Sequence, residues 1–236
     1  MDMGSFRRRT PEGERQGGFT LIELSIVLVL IGLIIGGVLK GQELIRSTRL
    51  KMTISQWDAI KAATNAFQDK YVALPGDYSQ ATTYIVNAVT GGDGDGVVGA
   101  GGVITFAGTA NGTEERAFWN HLLRANLLSG PDQNAAGGWR MATKISNRHF
   151  SVLQGTYGGR AAHWLRLGAG ADTTVGINGF TGMDAAELDR KFDDATPSTG
   201  TIQGHDSTEG AVTCRATATA YAGTTVETCV LVLELL

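Results

Sequence analysis

The chain is poor in the residues on which catalysis and metal binding most often rest. Its four histidines, His121, His149, His163 and His205, are scattered, with no His-Glu-x-x-His or similar spacing. No Gly-x-Ser-x-Gly nucleophile elbow and no Gly-x-x-x-x-Gly-Lys-Ser/Thr phosphate loop occurs. An enzyme reading therefore has no positive support. Charge of one sign is also missing: the net charge is -3 and the pI about 5.8, which argues against a nucleic-acid-binding surface, since that needs a basic patch. Proline is scarce, with four residues, while glycine reaches 33, a balance that suits a domain rich in loops and turns. No internal repeat is visible.

What the chain does have is one long apolar run. Between Phe19 and Leu39 the only charge is Glu23, and the run is long enough to cross a bilayer core of ~30 Å at ~1.5 Å per residue. The leader before it carries Arg7, Arg8, Arg9 and Arg15, so the positive-inside rule keeps the N-terminus cytoplasmic and exports the bulk of the chain. An ionisable side chain in hydrocarbon costs on the order of 2.5–3.5 kcal/mol on insertion scales. Glu23 thus asks for a partner, and the expectation is a partner outside its own helix.

These residues resemble a known processing site. Gly18-Phe19-Thr20-Leu21-Ile22-Glu23, followed by an unbroken apolar helix, is similar to the cleavage site of type IV pilins and pseudopilins. The firm match runs from Arg15 to Lys40; Gly32 falls where many pilins have glycine, and Lys40 stands near where many major pilins carry a kinking proline. The resemblance implies that a prepilin peptidase cuts between Gly18 and Phe19, that Phe19 is then N-methylated, and that Glu23 serves subunit assembly. A secretory signal peptide needs a small-residue cut site after its apolar core, and none follows here. A plain signal anchor would keep its leader and have no use for Glu23.

Beyond Lys40 no proline occurs until Pro75, and the pattern becomes amphipathic. Trp57, Ile60, Ala63, Phe67 and Tyr71 recur at helical spacing, with Lys51, Asp58, Lys61 and Gln68 among the polar positions. One helix to about Val72 would be roughly 80 Å long. Gly32, Gly36, Gly37 and Gly41 weaken it, either to allow local melting or to admit a neighbouring helix. Ala73-Leu74-Pro75-Gly76-Asp77 ends it. A loop to Thr113 follows, then a helix over 114–128 capped by Thr113 and stopped by Gly130-Pro131. Strands are expected at 149–153, 162–167, 211–215 and 229–235, and Asp184 with Glu187 reads as a capping box for a helix to Lys191. The expected fold is α+β: a long N-terminal helix on a mainly antiparallel sheet, which resembles the ladle shape of pilins. The expected divisions are a leader (1–18), a membrane or filament-core half-helix (19–39), and the amphipathic half-helix with its globular head (40–236). Ala73–Asp77, the 118–128 helix and Leu188–Asp194 also resemble a subgroup of bacterial pilin-like proteins.

Two acidic groups could hold a cation. Asp93 and Asp95, in Gly-Asp-Gly-Asp-Gly, could give hard oxygens to Ca²⁺, though the full EF-hand spacing is absent and a solvated turn is the simpler reading. Asp189, Asp193 and Asp194 are explained by exposure or by pairing with Arg190 and Lys191. His121, beside Trp119 on a helix, reads as a packed residue. Cys214 and Cys229 are an even pair in an exported domain; a disulfide is the simplest reading, as pilins often staple this region, with two free thiols or a metal pair as alternatives.

The expected function is structural: a subunit stored in the bacterial inner membrane, N-terminus cytoplasmic, and polymerised into a periplasmic or extracellular filament. Its expected partners are the prepilin peptidase, copies of itself and other pilin-like subunits, the inner-membrane assembly platform and lipid. A type II secretion pseudopilin is the nearest alternative. A membrane-anchored extracytoplasmic binding protein is the alternative of another class.

Overall fold

A computed structural model describes residues 18–98, 114–132, 140–145, 148–169, 179–206, 214–223 and 227–236. The leader up to Gly17, the proposed Thr113 cap and positions 211–213 of an expected strand lie outside them. The chain divides into two compact units, residues 1–46 and 47–236.

Helix α1 (Leu21–Tyr71) is continuous and begins in the first unit. There its apolar side chains, from Leu21 through Leu44 and Ile45, are exposed. It is long and apolar enough to cross a membrane. A Cβ added at Gly32, Gly36, Gly37 or Gly41 would meet nothing within 4 Å, so this chain's own packing does not demand small residues there.

In the second unit α1 buries a stripe, Leu50, Ile54, Trp57, Ile60, Ala63 and Phe67, at the spacing the sequence predicts. Thr53 and Thr64 are buried on the same helix because each hydroxyl returns to a carbonyl four residues back, Arg49 O at 3.0 Å and Ile60 O at 2.9 Å. The Trp57 indole donates to Glu234 O at 3.1 Å, and Gln56 bonds Ala142 O and Lys144 N, fixing the helix to the sheet at both polar edges. The helix ends at Val72, whose φ of +54° is unusual for a β-branched residue, and Pro75 prevents resumption.

A single-turn helix α2 (Ala81–Tyr84) interrupts what the sequence suggests is loop. Helix α3 (Glu114–Arg124) stops four residues earlier than expected. Asn126 turns left-handed at φ +58°, and the Leu127 and Leu128 amides both return to Leu122 O, so the chain leaves the helix before Gly130-Pro131.

Strands β1 (Met141–Ala142), β2 (Arg148–Tyr157), β3 (Arg160–Ala169), β4 (Phe180–Thr181), β5 (Ile202–Asp206) and β8 (Glu227–Glu234) form one antiparallel sheet. β2 and β3 are longer than the alternation suggests, because Gly158-Gly159, both at positive φ, closes them into a hairpin. β8 is central: it pairs β3 and β4 along one edge and β5 along the other, and is buried from Cys229 to Leu233. Strands β6 (Arg215–Thr217) and β7 (Ala220–Tyr221) make a separate small hairpin. Of the expected 211–215 strand only Cys214 and Arg215 are described, and Arg215 alone belongs to β6.

Helix α4 (Gly182–Phe192) corrects another expectation. Its cap is Thr181, whose hydroxyl accepts from Asp184 N at 3.0 Å and donates to Asp184 Oδ2 at 2.8 Å. Asp184 is therefore the third helical residue, and Glu187 pairs with Lys191 at 2.5 Å instead of closing a box. A Cys214–Cys229 disulfide joins the start of the β6–β7 hairpin to β8. The architecture is α+β, a long N-terminal helix followed by a mostly antiparallel sheet.

Candidate functional site at the N-terminal helix end

The first turn of α1 is built by a pattern of three residues' reach, Thr20 to Glu23. Thr20 N and Thr20 Oγ1 both donate to Glu23 Oε2, each at 2.8 Å, and Glu23 N donates back to Thr20 Oγ1 at 3.3 Å. This is a reciprocal capping box, which satisfies amides that the start of a helix otherwise leaves without partners. Here the expectation of a partner outside the helix changes. One carboxylate oxygen is already held by the same helix end, and only Oε1 takes no hydrogen bond among the described residues. The Thr-x-x-Glu spacing is present in the sequence, but Thr20 reads first as part of the cleavage motif, which masks its capping role.

Phe19 is 84% exposed, and Leu21 and Ile22 are exposed beside it. A Cβ on Gly18 would meet nothing within 4 Å, so no contact among the described residues requires glycine there. Gly18 and Phe19 thus present an open backbone directly before the helix, while the carboxylate stands one turn further along.

The second predicted site gains a residue. Asp77, 4% exposed, joins Asp93 and Asp95, with carboxylate oxygens of all three within 4.8 Å of one another. Asp77 Oδ1 accepts from Gly94 N at 2.6 Å and Asp95 N at 3.1 Å, and Oδ2 accepts from Gly96 N at 2.9 Å. Gly94 and Gly96 have φ near +82° and +85°, so successive amides curl around the carboxylate as a nest. Asp93 and Asp95 each cap the amide two residues on. Each aspartate therefore has a structural task, and the oxygens are of the kind Ca²⁺ takes. Asp77 was missed because it stands in Pro-Gly-Asp, which reads as a turn.

Of Asp189, Asp193 and Asp194, the exposure expected from sequence holds for Asp194 and in part for Asp193, but not for Asp189. Asp189 is fully buried and accepts from Tyr221 Oη at 2.8 Å and Ala195 N at 3.0 Å; burial pushes its carboxyl up to about 6. Asp193 accepts from Thr201 N and Ile202 N, and Asp194 from Thr196 N, closing the loop after α4. His121 is packed as expected, fully buried and stacked on Phe67. Its Nδ1 accepts from Gly76 N at 2.9 Å and its Nε2 donates to Thr90 O at 2.7 Å, an assignment that requires the neutral ring.

Burial lowers the pKa of all four histidines, for His205 to about 4, with Arg215 adding to the effect. A lowered histidine contributes stability that is present above ~6.5 and lost as pH falls toward the folded value. Asp189 acts oppositely: with its pKa raised, acidification from 6 toward 4 strengthens the fold. Four groups oppose one, so the melting temperature should fall between pH 6.5 and 4.5. His205→Gln should reduce that fall; an equal fall in this variant would remove His205 as a cause.

Residues 14–39 match the prokaryotic N-terminal methylation motif, the leader signature of type IV pilins and pseudopilins. The chain carries the N-terminus of a pilin- or pseudopilin-like precursor. No curated protein and no solved structure matches the chain.

Proposed function

We propose that this protein is a structural filament subunit, a major or minor pilin. It is cut between Gly18 and Phe19 by prepilin peptidase, stored in the inner membrane, and polymerised through α1 with copies of itself and other pilin-like subunits at an inner-membrane assembly platform. One observation carries the reading. The methylation motif ends in a helix whose exposed apolar surface holds a single carboxylate, one oxygen of it uncommitted, beside the proposed new N-terminus. A filament core of packed helices uses all three features, whereas an anchored monomer uses the apolar surface but needs neither the carboxylate nor a free N-terminus. A type II secretion pseudopilin would be processed identically; filaments on the cell surface or confined to the periplasm distinguish the two.

Intact-mass and N-terminal analysis of the protein from its native membrane should find a chain beginning at N-methylated Phe19. Because Gly18 has open space around it, Gly18→Trp should leave the fold unchanged and the leader attached, and so test the peptidase alone. A native chain that retains its leader would overturn the processing step.

Calcium at Asp93, Asp95 and Asp77 is a separate proposal, resting on three carboxylates within one ion's reach. Millimolar calcium should raise the melting temperature, and Asp95→Ala should abolish the rise. An unchanged curve would leave the loop held by its hydrogen bonds alone.

A further inference from the structure

The second unit has an open cleft of about 870 Å³ where α1 ends. Its walls come from the last turn of α1, the Pro75–Asp77 turn, the approach to α2 and the glycine nest. Three tyrosines line it in succession: Tyr71 to Tyr78 at 5.5 Å between ring centroids, and Tyr78 to Tyr84 at 6.5 Å, with interplanar angles of 36° and 29°. Tyr84 is 63% exposed, although an aromatic ring is a costly surface to leave in water.

The polar lining is equally unemployed. Among the described residues no hydrogen bond uses the side chains of Gln68, Ser79 or Gln80, or the hydroxyls of the three tyrosines. The one carboxylate in the wall, Asp77, is already compensated by three amides. Gly94 and Gly96 leave bare backbone in the wall, where a ligand can approach closely. Backbone strain gathers here too. Val72, 92% exposed, sits in the left-handed region, a conformation that glycine would adopt freely and that concentrates at binding sites.

From this chemistry we propose that the cleft binds a neutral saccharide. Aromatic faces carry negative electrostatic potential and attract the polarised C–H face of a sugar ring, while carboxamides and hydroxyls pair with its hydroxyls. Among the described residues no cation lines the cleft itself. The adjacent Lys70 ammonium is engaged over the Tyr71 ring at 5.0 Å from its centroid, so an anion is disfavoured and Tyr78 and Tyr84 carry the stacking. A quaternary ammonium draws on uncompensated negative charge beside ring faces, and the one carboxylate in the wall already accepts from three amides. A proline-rich peptide would cover the rings but offers carbonyl acceptors almost without donors, so the acceptor oxygens of Gln68, Ser79 and Gln80 would go unused, which disfavours it.

The test uses the full chain in a detergent without a sugar headgroup. Saturation-transfer NMR is run against a panel of neutral oligosaccharides of glucose, galactose and N-acetylglucosamine. At least one should bind with a dissociation constant of about 1 mM or tighter. Tyr84→Ala and Gln80→Ala, both at exposed positions, should each weaken it about tenfold without moving the melting temperature. Val72→Gly should fold normally. Absence of binding across the panel, undiminished binding by both variants, or occupation only by a charged oligosaccharide or a proline-rich peptide would overturn the proposal.

Discussion

Cells whose only copy of this subunit carries Glu23→Ala should insert and fold it normally yet make no filaments. Insertion is spared because the substitution removes a charge from the apolar run and so lowers the cost of entering lipid. Folding of the 47–236 unit is spared because Glu23 lies outside it. Assembly is another matter. Processing at Gly18 would expose a positive Phe19 amine, and an unpaired amine in a packed apolar core suffers a desolvation penalty of several kcal/mol. Glu23 of a neighbouring subunit can offset that penalty, and the capping box prepares it to do so. Thr20 fixes Oε2 in place, so Oε1 is presented in one orientation rather than several. Two milder variants separate charge from geometry. Glu23→Gln keeps the side chain's length and an acceptor but no charge, and should still block assembly. Thr20→Val removes the hydroxyl donor while leaving the backbone donor, worth about 0.5–2 kcal/mol at a cap, and should slow assembly without stopping it. Electron microscopy of sheared surface material, with intact mass to confirm processing, reads all three. Normal filaments from Glu23→Ala alone would sink the mechanism, and full biological activity with no filament would favour a membrane-anchored binding protein.

The largest loss of stability is expected from Asp77→Ala. Two backbone amides, of Gly94 and Gly96, would lose their acceptor, while Asp95 N keeps Asp93 Oδ1; the carboxylate itself is buried, though the loop it holds is exposed. A buried polar group left unpaired costs about 1–3 kcal/mol, and bonds to a charged acceptor are the stronger kind. With two amides affected and water able to reach the loop, the total should be about 2 kcal/mol, still a sizeable part of an ordinary domain's stability. Asp77→Asn should fall between, since its amide nitrogen would face a donor wherever it points. Neighbouring packing amplifies the effect. A Cβ on Gly92 would lie 2.3 Å from Asp77 Cα, so the nest is pressed against the turn and cannot shift to find new partners. Thermal and urea unfolding of the two variants measure the order. Wild-type stability in Asp77→Ala would show that water replaces the carboxylate.

The elements that proved legible are those whose causes are local. The 3.6-residue recurrence of Trp57, Ile60, Ala63 and Phe67 states which face of α1 is buried, and the structure buries it. The lack of proline between Lys40 and Pro75 places the helix's end to within a residue. Parity and compartment suggest the Cys214–Cys229 bond that the structure contains. Where local signals compete, the structure chooses between them. Asp184 and Glu187 look like a box until Thr181 takes the cap one turn earlier, and Asn126 ends α3 ahead of the more obvious Gly130-Pro131.

By itself, then, the sequence determined the motif at residues 14–39, the apolar run with its lone Glu23, the long helix and the α+β class, because each depends on neighbours a few positions away. Tertiary structure alone decided the rest. Asp77 became the anchor of a loop 17 to 19 residues distant, and His121 was held neutral between Gly76 and Thr90. Tyr71, Tyr78 and Tyr84 became one cleft wall instead of three scattered aromatics. Such roles are set by where the chain returns in space, and a hydrogen bond or ring contact made there leaves no periodicity along the chain to read.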